Sequence, residues 1–412
     1  MRAFAFSLLL CALTVQAQNY KVIFSFAGPD GAFPNSGFLV DASGNVYGTT
    51  SGGGLQFPRC PDGCGTIFRL SPTASGRWSI GEYKFRGGTN DGAEPAGGLV
   101  ADQAGNIYGV TTGGGSAGFG TVFKTTFGSL GEASVYSFQG GLADGAYPAA
   151  GLAIDTAGNL YGTTTQGGQY NKGAVFELSP NSSGGWTETL IYSFSGAVDG
   201  WSPQAPLTLD AAGNLYGTTI AGGLPNTSTC LSGCGVVFEL SPNSSGGWTE
   251  TVLHAFDYSD GKWPASKLVF DASGNLYGTA VWGGNVSTSC QFGSSIGCGV
   301  VFQLSNVSGQ WNEKTIFTFN DANGANPFGL AFDPSGNLFG ATVDGGAGQA
   351  GTVYRLTRGP NGFWNERVIQ PFSAGTGGGG PSGVTFDSSG KIFGAANYAG
   401  TTGYGVIFSI QP

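Results

Sequence analysis

The sequence predicts an all-β fold, a seven-bladed β-propeller of four-stranded blades, and three observations carry that prediction. First, a stretch of the form Asp271-Ala-Ser-Gly-Asn-Leu-Tyr-Gly278 recurs seven times, centred on Gly44, Gly105, Gly158, Gly213, Gly274, Gly336 and Gly390, at steps of 53 to 62 residues. Tandem copies at such a period are supersecondary units that bury their faces only by stacking on one another. Second, apolar residues alternate with period two inside each copy and are punctuated by Gly, Asn and Pro, the pattern of strands and hairpins; no helical period appears beyond the N-terminus. Third, the chain ends are complementary: Tyr20–Phe26 has the character of a fourth blade strand and Tyr404–Ile410 that of a third. The N-terminal strand would complete the last blade and close the ring, leaving no open edge between first and last blades. A flat solenoid would not need this split repeat.

The fifth copy shows the four strands. Lys267–Asp271 is short and apolar. Ala272–Asn275 is a turn in which Asp271 can accept from the turn amides and Gly274 can take positive φ. Leu276–Thr279 returns as a second strand. After a Gly-rich loop, Gly299–Leu304 forms the third and Trp311–Phe319 the fourth, alternating and aromatic. Phe176–Thr189 recurs letter for letter as Phe238–Thr251, the mark of an internal duplication.

Residues 1–17 read as a secretory signal: Arg2, an apolar run from Ala3 to Val15, and the small-residue cleavage site Val15-Gln-Ala17. That run is too short for an ordinary membrane span, and no longer one follows. Residues 18–412 are uniform in composition and read as one domain. The 77 glycines with only 10% charged residues would suggest disorder, but 13% aromatic residues in an ordered repeat argue for sheet and tight turn. Without Arg2 the net charge moves from −9 to −10. That disfavours a nucleic-acid partner, whose phosphates need a basic footprint. Six cysteines remain beyond the signal, in three local pairs: Cys60 with Cys64, Cys230 with Cys234, and Cys290 with Cys298. Each pair sits in a second-to-third-strand loop, so local disulfides are expected, in a secreted or periplasmic protein acting as a monomer. A zinc site from these cysteines is disfavoured, because the pairs lie in different blades with a single histidine in the chain.

The unit Gly-x-Val-Phe-x-Leu, Tyr-Ser-Phe, Asp-Gly-x-x-Pro, Gly-Leu, Asp-x-x-Gly-Asn-Leu-Tyr-Gly-Thr-Thr and Gly-Gly, nearly unbroken from Gly173 to Gly223, resembles the GloVer (Gloeo/Verruco) tandem repeat of secreted bacterial choice-of-anchor proteins. The resemblance covers everything beyond the signal. It implies export, a tandem β architecture and often a C-terminal sorting tail; it brings no catalytic residues. The sequence ends at Pro412 directly after a strand, so free secretion or periplasmic residence is expected over anchoring.

Binding is expected on the face that carries the variable second-to-third-strand loops and the fourth-to-first-strand links. The links read Asp-Gly-x-x-Pro at Asp30, Asp91, Asp144, Asp199 and Asp260, with Asn323 in the sixth copy and a degraded seventh. Turn chemistry accounts for much of this, with Pro stopping pairing ahead of the central strand. Phe33, Tyr147, Trp201 and Trp263 in the same links add aromatic faces beside those carboxylates, a set suited to sugar rings. Axial calcium on the aspartates is a weaker reading, since the spacing is not an EF-hand loop. No cofactor is expected, nor a metal. The Trp-x-Glu starts at Trp186, Trp248, Trp311 and Trp364 read as inter-strand packing. His254, the one histidine, stands where other copies have Tyr136, Tyr192 or Phe317 and reads as a core-strand substitution. It has no Gly-x-Ser-x-Gly partner, so Ser-His-Asp chemistry is unsupported. The expected activity is therefore non-catalytic binding of a carbohydrate or a protein. A secreted polysaccharide lyase or hydrolase and a structural surface protein are the alternatives.

Overall fold

The computed structural model describes residues 19–223, 229–284, 290–292 and 295–411; the signal at 1–17 lies outside them. Seven antiparallel sheets follow one another around a ring as blades 1 to 7, numbered in chain order by the copies at Gly44, Gly105, Gly158, Gly213, Gly274, Gly336 and Gly390, and among the described residues there is no helix. The last blade runs Gly379–Phe386, Ile392–Tyr398, Val406–Gln411 and then Asn19–Ser25, with Asn19 opposite Gln411 and Ser25 opposite Val406. The first strand of the chain thus closes the ring, as its sequence predicts. No helix among the described residues is long and apolar enough to cross a membrane.

One hydrophobic cluster lies at each of the seven seams between neighbouring blades. Its centre is a recurring aromatic pair. Phe256, at the end of one outer strand, meets Phe302 in the third strand of the next blade with ring centroids 5.1 Å apart and edge-on, and Phe194 meets Phe238 in the same way. Fully burying such a ring stabilises by about 1.5–3 kcal/mol. The pair also explains the Tyr-Gly dipeptide of the repeat. Gly278 lies opposite Phe302 in the ladder, and a Cβ there would stand 2.4 Å from the Phe302 ring. Trp248 and Trp311 reach across the seam to Tyr161 and Tyr216 of the preceding blade at 6.1 and 6.3 Å. The Trp-x-Glu tryptophans therefore pack between blades, and not only between strands.

The turn facing away from the variable loops is built as its sequence implies. The carboxylate of Asp271 accepts from the amides of Ser273 and Asn275 and from the Asn275 side chain, at 2.7 to 3.0 Å, and Tyr277 donates to it at 3.0 Å. Gly274 has φ 80°. Burial alone would raise the Asp271 pKa, but these four donors hold it below the ordinary carboxylate value.

Candidate functional site

The Asp-Gly-x-x-Pro links do more than end a strand. Lys262–Pro264 already pairs with the second strand of its blade, Lys262 opposite Trp282 and Pro264 opposite Ala280, so proline does not stop pairing there. The residue before each proline is left-handed. Phe33, Glu94, Tyr147, Ser202, Trp263, Asn326 and Gly380 have φ between 55° and 64°. Each donates its N–H to the preceding blade: to the carbonyls of Tyr404, Cys64, Phe119, Lys172, Cys234, Cys298 and Ala350 respectively, at 2.8 to 3.0 Å. The next residue of that preceding blade is always a glycine, and the proline ring rests on it; a Cβ on Gly65 or Gly299 would come within 2.4 Å of Pro95 or Pro327 Cδ. Seven identical staples thus join blade to blade around the mouth of the ring.

The link aspartates serve this loop. Asp30 and Asp91 accept from the amides of Ala27 and Arg86 at 2.7 and 2.9 Å. Asp144 accepts from Gln139 N–H, Gly145 N–H and Tyr136 Oη, and Asp199 from Ser195 N–H, Ser195 Oγ and Tyr192 Oη, at 2.6 to 3.1 Å. Asp91, Asp144 and Asp199 are buried. Among the described residues the only set of three or more potential metal ligands that converges is His254, Asp260 and Glu313, so the link aspartates do not meet as one axial group.

The aromatic residues divide. Phe33, Tyr147 and Trp263 occupy equivalent left-handed positions, and Phe33 and Trp263 are 43% and 42% exposed. Trp201 sits one residue earlier in its link, where other blades have Ala32, Ala93 or Ala146. Its ring turns to its own blade's disulfide loop, with Nε1 3.4 Å from the Ser232 carbonyl, and Lys172 Nζ stands 4.6 Å over its face. Tyr147 is steadied edge-on by Phe119 at 5.4 Å.

Two clefts open beside these residues. One, of about 290 Å³, spans blades 4 to 6 and is lined by Trp263, Trp282, Phe328, Val281, Ile220 and Asn326. Asn326 is 6% exposed; its Nδ2 donates to Asp344 at 2.7 Å, while its Oδ1 is buried with no partner. The other, of about 280 Å³, lies between blades 1 and 2 and presents Phe33, Ser51, Asp62, Glu94 and Thr112. The contrast follows one repeat position, the third residue after the glycine of Tyr-Gly or Phe-Gly. Ser51, Thr112 and Thr165 turn their hydroxyls to the carbonyls of Phe33, Glu94 and Tyr147 at 3.1 to 3.2 Å. Blades 4 to 6 carry Ile220, Val281 and Val343 there. Aligning the repeats by position exposes this switch, which the search for acids and aromatic residues passes over.

Cys60–Cys64, Cys230–Cys234 and Cys290–Cys298 are disulfides, with Cα atoms 5.2 Å apart in each. The second cysteine of each pair supplies the carbonyl that receives the next blade's left-handed residue, at Glu94, Trp263 and Asn326. The bridges therefore brace the acceptors under both clefts.

Half-buried carboxyls recur at the seams. Glu132, Glu188 and Glu250, the acids of the outer strands, face Asp91, Asp144 and Asp199. Burial first, then the aspartate charge, pushes each up from the ordinary 4.5 to about 7.

A family model described as the Gloeobacter/Verrucomicrobia repeat matches residues 9–176, 134–292 and 283–412. The chain belongs to that family. Among curated proteins none matches it. Of solved structures, a protein named as a candidate 6-phosphogluconolactonase from Bacteroides uniformis is similar at TM-score 0.52 and 13% identity, over 81% of this chain and 84% of that one. The extracellular domain of a candidate hybrid two-component system from B. thetaiotaomicron is similar at TM-score 0.55 and 12% identity, over 95% of this chain and 39% of that one. At such identities the likeness shows the propeller fold alone.

Proposed function

We propose that this member of the family is an exported, non-catalytic binding module that holds a carbohydrate on its variable-loop face, with a sugar ring stacked on Trp263 in the blade 4–6 cleft. One observation carries the reading. The staple asks only for a left-handed residue before proline, which glycine supplies without strain, as Gly380 does; six of the seven positions nonetheless keep a side chain there. Those side chains differ from blade to blade while the backbone does not, as in a recognition surface on a rigid frame. Trp263 offers an apolar face, and the unpartnered Oδ1 of Asn326 offers an acceptor for a sugar hydroxyl. The three disulfides suit a secreted or periplasmic location.

The test is a glycan-array screen of the mature protein, with each hit assayed for depolymerisation. Retention without breakdown, lost in Trp263→Ala and kept in Phe33→Ala, is expected. Breakdown of a hit would establish an enzyme instead. Silence across the array would transfer the face to a protein partner.

A further inference from the structure

His254 lies in an outer blade strand, in register with Val237, where its counterparts in other copies pack against the seam clusters. It is half-buried at the seam of blades 4 and 5, edge-on to Phe256 at 4.7 Å, with Nε2 2.8 Å from Asp260 Oδ2. The preceding seams show what this position ordinarily does. Tyr136 and Tyr192 donate to Asp144 and Asp199 at 3.0 and 3.1 Å, with Glu188 and Glu250 of the next blade behind them. Burial and those acids raise the tyrosine pKa values far above 10, so the phenols remain donors and do not ligate. At the fourth seam an imidazole replaces the phenol, and the same three-residue geometry acquires a third potential ligand. One ligand atom each from His254, Asp260 and Glu313 lies within 4.8 Å of the other two.

We propose that His254, Asp260 and Glu313 bind a divalent transition-metal ion, Zn²⁺, across this seam. A nitrogen and two carboxylate oxygens on a tetrahedral zinc stand about 3.4 Å apart, given Zn–N and Zn–O distances near 2.1 Å, so small side-chain rotations close the set. The fourth position is left to water. Imidazole favours zinc over calcium or magnesium, which take oxygen ligands. The local charge favours a cation as well. Asp257 adds a third carboxylate, its amide donating to Asp260 Oδ1 at 3.0 Å. Among the described residues the ion pairs are Lys84–Glu82 and His254–Asp260, so neither Lys nor Arg neutralises this group. The outer strands of blades 4 and 5 supply His254 and Glu313, so the ion would tie one blade to the next. The site does not depend on the carbohydrate reading.

The experiment is calorimetric titration of chelator-treated, tag-free protein with zinc chloride, alongside thermal melts with and without zinc. One equivalent is expected to bind and to raise the melting temperature. His254→Tyr, which restores the residue of the neighbouring seams, is expected to melt as the metal-free protein does and to take up no zinc. Glu313→Gln is expected to weaken binding about tenfold or more, and it carries the test if His254→Tyr fails to fold. Absence of stoichiometric uptake, uptake unchanged in the variants, or binding of calcium in preference to zinc would overturn the site.

Discussion

The blade 1–2 cleft and the blade 4–6 cleft share one backbone. In each, a left-handed residue donates to a cysteine carbonyl of the preceding blade and its proline sits on a glycine. Their chemistry differs: Glu94, Ser51 and Thr112 line the first, while Trp263, Val281 and Phe328 line the second. The difference teaches that assembly and surface are handled by different atoms. Main chain, proline and glycine join the blades, and the side chains above them are released from that task.

The comparison breaks most readily at the glycines. Gly65→Ala and Gly299→Ala each force a Cβ against a proline ring at φ 83° and 87°, and each is expected to destabilise by about 3 kcal/mol. Urea denaturation should give similar losses for both; a large cost at one and none at the other would show that the two staples are not equivalent. Removing the Cys290–Cys298 bridge with paired serines is expected to cost about 2 kcal/mol and to lower retention at the cleft that Asn326 lines. Removing Cys60–Cys64 should cost a similar amount and leave retention intact. Trp263→Ala is expected to weaken glycan binding by about 2 kcal/mol, roughly thirtyfold, against little change for Phe33→Ala, both read by titration of intrinsic fluorescence.

The smallest effect is a pH dependence common to the seams. Glu132, Glu188 and Glu250 hold their protons more tightly folded than unfolded, with pKa values raised from 4.5 to about 7. A raised acid favours the folded state while protonated, so this contribution is full below about pH 4.5 and is lost as the pH rises through about 7. Melting temperature should fall across that window, and Glu188→Gln should flatten the fall.

Much of the ring was legible because its signals are local. Asp271 and Gly274 stand six residues or fewer from the groups they serve, and period two is visible in any single strand. The split blade could be read from the characters of the first and last strands. The staple was not legible, because its proline and its glycine lie in different blades and neither alone signals a contact. Trp201 and Trp263 looked alike in sequence; one residue of register, with the left-handed turn between the two positions, sends them to different surroundings. His254 takes the place of the aromatic residues Tyr136, Tyr192 and Phe317 and keeps their edge-on contact with the following phenylalanine; what one copy alone does not reveal is that Asp260 and Glu313 converge on its ring. The alternation of Ser51 and Thr112 with Val281 and Val343 was present in the sequence and needed only alignment of the copies.

The seven staples have a consequence for how such proteins change. Because the same N–H, carbonyl, proline and glycine recur at every seam, the residue before each proline behaves as an exchangeable socket, filled here by Phe, Glu, Tyr, Ser, Trp, Asn and Gly. Single codon changes can sample new ligands at one socket while six others keep the old ones. Copying a whole blade, as the identical run Phe176–Thr189 and Phe238–Thr251 records, delivers a fresh socket already wired into the ring.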